Sequence, residues 1–399
     1  MIRQLLSTLV VVVLLSAGAA PARQHGLAQD TPAAASPRAM LQRMPLIGLG
    51  DDAAGQVTYA NLALQATETG VEVPTGDPGQ PIPDDWMAAV GTMSIHSRAS
   101  FMTLPEWEET FGFSLFDLDQ VVEYAAPPDS FSLFRGRFDT DDLVRHWAAE
   151  GYQIRETDAG PYYTIRGDFE IEMGSDTGRL VMASANYVAT LAPDTIAFAA
   201  TERLITEAVN LAAGTGTSFA DEINVASLLE GIPDDLISGT IIPGSLLLAT
   251  GDPAELLTED PGEIDVDAIA TRLADDAAAA AAMPPLTVAL LGSTAGNPLP
   301  SPATGAATPV AAIPAARAVA VLVTTNDAVA RTVAEVVDAR LQGSGGESAW
   351  TDFFPAWEIS VVKDEPVVTV ELELAPERPA SILIQMLYRR ELGFLAWAP

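Results

Sequence analysis

The chain of 399 residues contains no cysteine. That absence removes disulfides, thiolate nucleophiles, iron–sulfur clusters, cysteine-bound zinc and the acylated cysteine of a lipoprotein. Lysine is almost missing too: of 20 basic residues 19 are arginine, and the single lysine lies in the turn-like run Lys363-Asp364-Glu365-Pro366. A Schiff-base lysine fits poorly there. Histidine occurs three times, as His25, His96 and His146. No His-Glu-x-x-His spacing supports a catalytic zinc, and no Gly-x-Ser-x-Gly elbow supports a serine hydrolase. A Ser-His-Asp site using His96 with Ser94, Ser97 or Ser100 stays open, as does a hydrolase with dispersed carboxylates. Positive charge is scarce overall, with 54 acidic residues giving a formal net charge of −34. Such a surface repels nucleic acid and anionic lipid headgroups, so nucleic acid is not an expected partner.

Hydrophobic residues, by contrast, make up 48% of the chain, ample material for a packed core. The strongest local signal is at the N-terminus. Arg3 is followed by the 16 apolar or small residues LLSTLVVVVLLSAGAA, and Ala20-Pro21-Ala22 and Ala28 offer cleavage sites. This is the layout of a secretory signal peptide, and an uncleaved tether to the membrane is its alternative. The expected organisation is a signal peptide over residues 1–28, a flexible tether over 29–40 and a main domain over 41–292. A Pro/Ala/Thr-rich linker or loop over 293–316 then precedes a C-terminal portion, 317–399, packed with the main domain. The linker run holds five prolines and no charge, so it continues neither a helix nor a central strand.

Three segments share one pattern: residues 131–151, 195–214 and 318–343 each run from an apolar stretch through a polar junction into an amphipathic helix. In the first, Leu143 and Trp147 are spaced i,i+4, Asp139 or Asp141 is placed as N-cap, and Gly151 as the stop. In the third, Val329, Val333, Val336, Val337 and Leu341 form one stripe behind Asn326 or Asp327. Elsewhere the pattern is that of hairpins. Residues 164–173 and 178–184 flank a Gly/Ser/Asp turn, and in 358–374 Val368, Val370, Leu372 and Leu374 alternate with Thr369, Glu371 and Glu373. The fold expected is α+β: a mixed, largely antiparallel sheet with helices on one face, built in part from repeated strand–helix units.

The stretch TSFADEINVASLLEGIPDDLISGTII resembles an element of uncharacterised exported bacterial proteins with tandem strand–helix units. In those proteins a "small–x–Phe/Leu-Ala-Asp … Leu-Pro-x-Asp" segment follows each unit. Ser218, Phe219, Ala220 and Asp221 match the first part, and Ile232-Pro233-Asp234-Asp235 the second with Ile for Leu. The resemblance spans residues 190–245, implies an envelope-associated α+β protein, and brings no activity or cofactor with it.

Candidate sites are few. Asp139-Thr140-Asp141-Asp142 and Asp265-Val266-Asp267 are acidic, but lack the central Gly and terminal Glu of a calcium loop; helix capping accounts for the first. Arg135-Gly136-Arg137 precedes a helix start where an anion could sit, yet three aspartates crowd the same end. The aromatic segment AWTDFFPAW places Trp350, Phe353, Phe354 and Trp357 beside Asp352 and Glu358, a composition suited to stacking a sugar or apolar ligand. Burial of these rings on the sheet is the competing reading. The C-terminal run 382–399 is too interrupted to span a bilayer and is expected to dock on the core. No metal or cofactor is implied. The expectation is an exported, acidic protein of the cell envelope or extracellular space that binds or scaffolds an unidentified ligand there.

Overall fold

A computed structural model describes residues 36–49, 55–74, 82–84, 86, 90, 99–248, 280–295, 317–345, 348–376 and 378–397. The signal peptide, most of the tether, His25, His96, the 265–267 acidic pair and residues 296–316 of the proline-rich run lie outside them. Among the described residues no helix is long and apolar enough to cross a membrane.

Twelve strands form one antiparallel sheet. In chain order they are β1 (Gln56–Asn61), β2 (Leu118–Ala126), β3 (Asp129–Gly136), β4 (Gln153–Thr157), β5 (Gly160–Thr164) and β6 (Tyr187–Ala192). Then come β7 (Thr195–Ala199), β8 (Leu236–Pro243), β9 (Val288–Thr294), β10 (Arg317–Val323), β11 (Ala356–Val361) and β12 (Val367–Glu373). Across the sheet they run β11-β12-β10-β9-β8-β1-β2-β3-β7-β6-β5-β4. The proline-rich run joins sheet neighbours, since Arg317 of β10 pairs with Thr294 of β9 and the register continues to Val323 opposite Val288.

Helices cover both faces, where cover on one was expected. The reason lies in the strands: β8 and β9 are buried at every position and β10 at all but its first, so neither face is wet at the centre. On one face α1 (Pro37–Leu41), α6 (Glu202–Ala212) and α7 (Ile223–Gly231) pack Met40, Leu204, Ile205, Val225 and Leu228 onto Tyr59, Val122, Leu133, Leu290 and Val321. The opposite face carries two further clusters. One joins α8 (Asp327–Leu341) and α9 (Ile382–Tyr388) to β8–β10 and β12. The other joins α2 (Leu62–Thr69), α3 (Pro105–Phe111), α4 (Thr140–Glu150) and α5 (Asp176–Val181) to β1–β3, β6 and β7. The C-terminal run accordingly docks, through Ile382, Leu383 and Met386 of α9.

Two expectations change. The tether is shorter than residues 29–40: Ser36 caps α1, Pro37 opens it, and Met40 and Leu41 are fully buried. Residues 164–173 and 178–184 are not a hairpin. Thr164 ends β5, an irregular loop follows, and Asp176–Val181 is a helix capped by the Ser175 hydroxyl, which accepts from Gly178 N at 3.0 Å. The alternation Phe-Glu-Ile-Glu-Met had suggested a strand, but it belongs to a loop without strand partners.

The order of strands repeats. Outward from the centre one half reads β1-β2-β3-β7-β6 and the other β8-β9-β10-β12-β11, the same path through five strands in each. With every pairing antiparallel, equivalent strands run in opposite directions, so a pseudo-two-fold axis passes perpendicular to the sheet between β1 and β8. The β3–α4 and β10–α8 units are equivalent and place their helices on the same face. The β7–α6 unit is not equivalent to them, since α6 packs on the other face. Of the three similar segments, two are therefore related by the architecture. Between β3 and β6 the first half carries the extra elements β4, β5 and α5, whereas residues 342–355, with a minimal ladder of Ser344–Gly345 on Ser348–Ala349 and a 3-10 turn at Trp350–Asp352, join α8 to β11.

Candidate functional site

The Arg135-Gly136-Arg137 junction comes first. Asp139 caps α4, its carboxylate accepting from the N–H groups of Asp141 and Asp142 at 3.1 Å each. Gly151 closes the helix with φ +97°. The two arginines reach elsewhere. Arg135 is buried, its Nε donating to Asp194 Oδ2 at 2.9 Å and its Nη1 to Gln120 Oε1 at 3.3 Å. Gln120 in turn donates to the Tyr59 hydroxyl at 3.1 Å. Arg137 pairs with Asp119 and donates to the Phe116 carbonyl. These contacts tie β1, β2, β3 and the β6–β7 turn into one polar chain, which is a structural use of both cations.

Burial alone would raise the Asp194 carboxyl, but hydrogen bonds from Arg135 and Thr195 and the charges of Arg135 and Arg43 hold it below its ordinary value of 3.8. A depressed carboxyl contributes stability that is present above 3.8 and lost as pH falls through the folded value. Because the Asp194 side chain is 41% exposed, the contribution is below about 1 kcal/mol. Asp194→Asn should therefore lower the neutral plateau of a stability–pH curve by that amount and flatten the acid limb, the two proteins converging at low pH. Superimposable acid limbs for the two proteins would show that the pair contributes nothing.

His146, on α4, is committed locally. Its Nδ1 lies 2.6 Å from the Glu109 carbonyl and its Nε2 3.8 Å from Asp142, stitching α3 to α4. Among the described residues no three His, Asp or Glu side chains converge as metal ligands.

The two helix-to-hairpin connections, equivalent by the pseudo-symmetry, hold the remaining candidates. In the second half this is the aromatic segment. Trp350 and Phe354 are buried, their planes stacked at 16°, and Phe394 closes edge-on against Trp350 at 4.9 Å. Trp357, on β11, is half-buried and donates from Nε1 to Asp338 Oδ1 at 2.9 Å. Phe353 is half-buried with the Arg378 guanidinium 4.2 Å from its ring centre. Beside it lies an open depression of about 380 Å³, lined by Asp352, Ala375, Pro376 and Arg378. The four aromatics therefore divide. Trp350 and Phe354 serve the core, and Phe353 lies half-buried under Arg378, a residue that lines the depression.

In the first half the connection is a lobe, Gly151–Asn186, containing β4, β5, the loop 165–175 and α5. Five of the eleven exposed large apolar side chains among the described residues belong to it: Ile154, Phe169, Ile171, Met173 and Met182. The loop is held from within. Asn186, buried, donates to the carbonyls of Gly167 and Glu170 at 2.8 and 2.9 Å. Arg166 donates to Glu172, Ser175 and Thr177 at 2.8, 2.6 and 2.9 Å. Asp168 accepts from Glu202 N at 2.9 Å, and Phe169 N donates to the Ala200 carbonyl at 3.3 Å. Phe169 and Met182 take positive φ values of +58° and +55°, a conformation costing a bulky side chain on the order of 1 kcal/mol or more. The frame thus imposes a strained backbone and leaves Phe169 41% and Met173 62% exposed.

Sequence reasoning missed this lobe because Phe169-Glu170-Ile171-Glu172-Met173 has the period of a half-buried strand. The useful signal was its flanks, Gly167-Asp168 and Gly174-Ser175, which are turn formers on both sides.

The 218–221 element has a physical account too. The Ser218 hydroxyl accepts from Ala220 N, and Asp221 reaches back to Ser218 N at 2.9 Å, while Phe219 is buried on the sheet. Ser114 and Asp117 make the same reciprocal bond before β2, with Ser114 N 2.8 Å from Asp117 Oδ2. No known protein family, no curated protein and no solved structure matches this chain.

Proposed function

We propose that the protein is an exported, acidic protein of the cell envelope or extracellular space that acts by binding or scaffolding, without turnover of a substrate. The lobe Gly151–Asn186 is the observation that carries this reading. A loop pinned by buried Asn186 and near-buried Arg166, and strained at Phe169, spends stability to keep apolar side chains in water. That arrangement is rewarded when a partner covers them. The leader-like N-terminus and the −34 charge support an exported site of action. Among the described residues, His146 and Arg135 are committed to structural bonds.

The test is photocrosslinking in the producing organism, with a photoreactive residue at Ile171 compared with one at Arg331, on exposed α8. A discrete adduct from position 171 only, recovered from the envelope or medium, is the expected result. Equal labelling at both positions would count against a binding surface on the lobe. Hydrolytic activity that His146→Ala abolishes at unchanged thermal midpoint would replace this reading with an enzyme.

A further inference from the structure

The apolar side chains of the lobe do not stand alone. Phe169, Ile171 and Met173 occupy alternate positions, with Glu170 and Glu172 between them and Asp168 before them, all six exposed. Arg166 is the cation that pairs with Glu172, Asp168 accepts from Glu202 N and bonds the Tyr187 side chain, and Glu170 accepts from Gly167 N, so the carboxylates keep a net negative field around the apolar side chains. Ile154 is a further exposed apolar side chain of the lobe. It lies on β4, the sheet edge, next to Gln153, which pairs with Thr164, the last strand residue before the loop. The edge strand is exposed at four of its five positions, with its outer backbone groups open to a further strand.

From these features we infer that the lobe docks a cationic amphipathic peptide segment of a partner protein. The segment's apolar side chains cover Phe169, Ile171 and Met173, and its Lys or Arg side chains meet Asp168, Glu170 and Glu172. The inference rests on the binding reading above and adds the chemistry of the partner. Charge complementarity selects the occupant. A second copy of this chain would bring a second −34 charge and the same carboxylates into contact. A bilayer with anionic headgroups is opposed by the same acids. An apolar peptide without charge would leave three carboxylates desolvated at its rim. A cationic amphipathic segment answers both features. The position in the fold agrees. The second half of the sheet connects the equivalent helix and hairpin without these elements, so the lobe is an addition to the repeated frame. Additions carried on a rigid scaffold are where binding surfaces concentrate.

The experiment uses the full chain and a fluorescein-labelled peptide alternating leucine and lysine, read by fluorescence anisotropy. A leucine–glutamate peptide serves as charge control, and phosphatidylcholine vesicles with and without phosphatidylglycerol test lipid. Saturable binding of the leucine–lysine peptide alone is expected, weakening as salt screens it. The triple variant Phe169→Ser/Ile171→Ser/Met173→Ser should lose at least ten-fold in affinity. Ile223→Ser, a change at a still more exposed apolar side chain on α7, should lose none. Equal binding by the triple variant would reduce the effect to diffuse attraction by net charge and overturn the inference. So would equal binding of the acidic peptide, or sedimentation with either vesicle. A crosslink at Ile171 to a partner without a basic amphipathic segment would sink this inference while leaving the binding reading intact.

Discussion

Gly136→Ala is expected to cost about 3 kcal/mol of unfolding free energy, the upper end of what overpacking costs when the opposing atoms are backbone. Gly136 is the last residue of β3, and a Cβ built on it would meet the Asp117 carbonyl oxygen at 2.1 Å and Leu118 Cα at 3.0 Å. Both atoms are backbone, so no side chain can swing aside. The same carbonyl accepts from Arg137 N at 2.8 Å, and Gly136 N donates to the Asp194 carbonyl at 3.0 Å. Opening the contact therefore disturbs three chains at once: β2 at its first pair, β3 at its end, and the β6–β7 turn. Urea denaturation of the two proteins measures the difference. Gly151→Ala is the useful comparison, because nothing lies within 4 Å of its Cβ and only its φ of +97° resists. A loss at Gly136 no larger than that at Gly151 would show that β2 yields to the added methyl group.

Trp350→Ala is expected to cost about 3–5 kcal/mol, through lost burial and the cavity left between Phe354 and Phe394. Trp350 is only 4% exposed, which decides between a ligand platform and a core residue. Trp357→Ala should cost less, since that side chain is half-buried and loses chiefly its bond to Asp338. Thermal unfolding ranks the two, and tryptophan fluorescence against a panel of envelope glycans asks the binding question directly. A stable Trp350→Ala protein that has lost a glycan-induced shift would return the ring to the surface.

Features governed by neighbours along the chain were legible in the sequence. Asp139 and Asn326 cap their helices as their positions ahead of apolar periodic runs require. Val333, Val337 and Leu341 are buried on α8 at helical spacing, with Val329 and Val336 at the margin of the same stripe. The alternation in residues 367–373 becomes β12, and the α+β class follows from such segments together. The same alternation failed to show that both faces are covered. Val367, Val368 and Val370 are all buried, and a valine reads alike whichever face it occupies. Long-range partners were silent: nothing near Arg135 points to Asp194, 59 residues on. Short α5 was silent as well, because six residues carry too little periodicity and owe their helix to Ser175 and burial of Leu180 and Val181. In the candidate surfaces the residue types were visible and their exposure was not. Trp350 and Met173 exchange the places that hydrophobicity alone would assign them, because packing of Phe394 and pinning by Asn186 are decided elsewhere in the chain.

The seam between β1 and β8 has a consequence for assembly. Val57 lies opposite Ile241 and Ala60 opposite Ser238, two antiparallel strands meeting about an axis that exchanges the two five-stranded halves. This is the contact that identical subunits make when their sheets join edge to edge in an isologous dimer. In symmetry terms the chain is such a dimer with its subunits fused. Fusion frees the halves to diverge, so one can acquire a lobe while the other keeps a plain connection. A homodimer of either half would have been obliged to display the lobe twice or not at all.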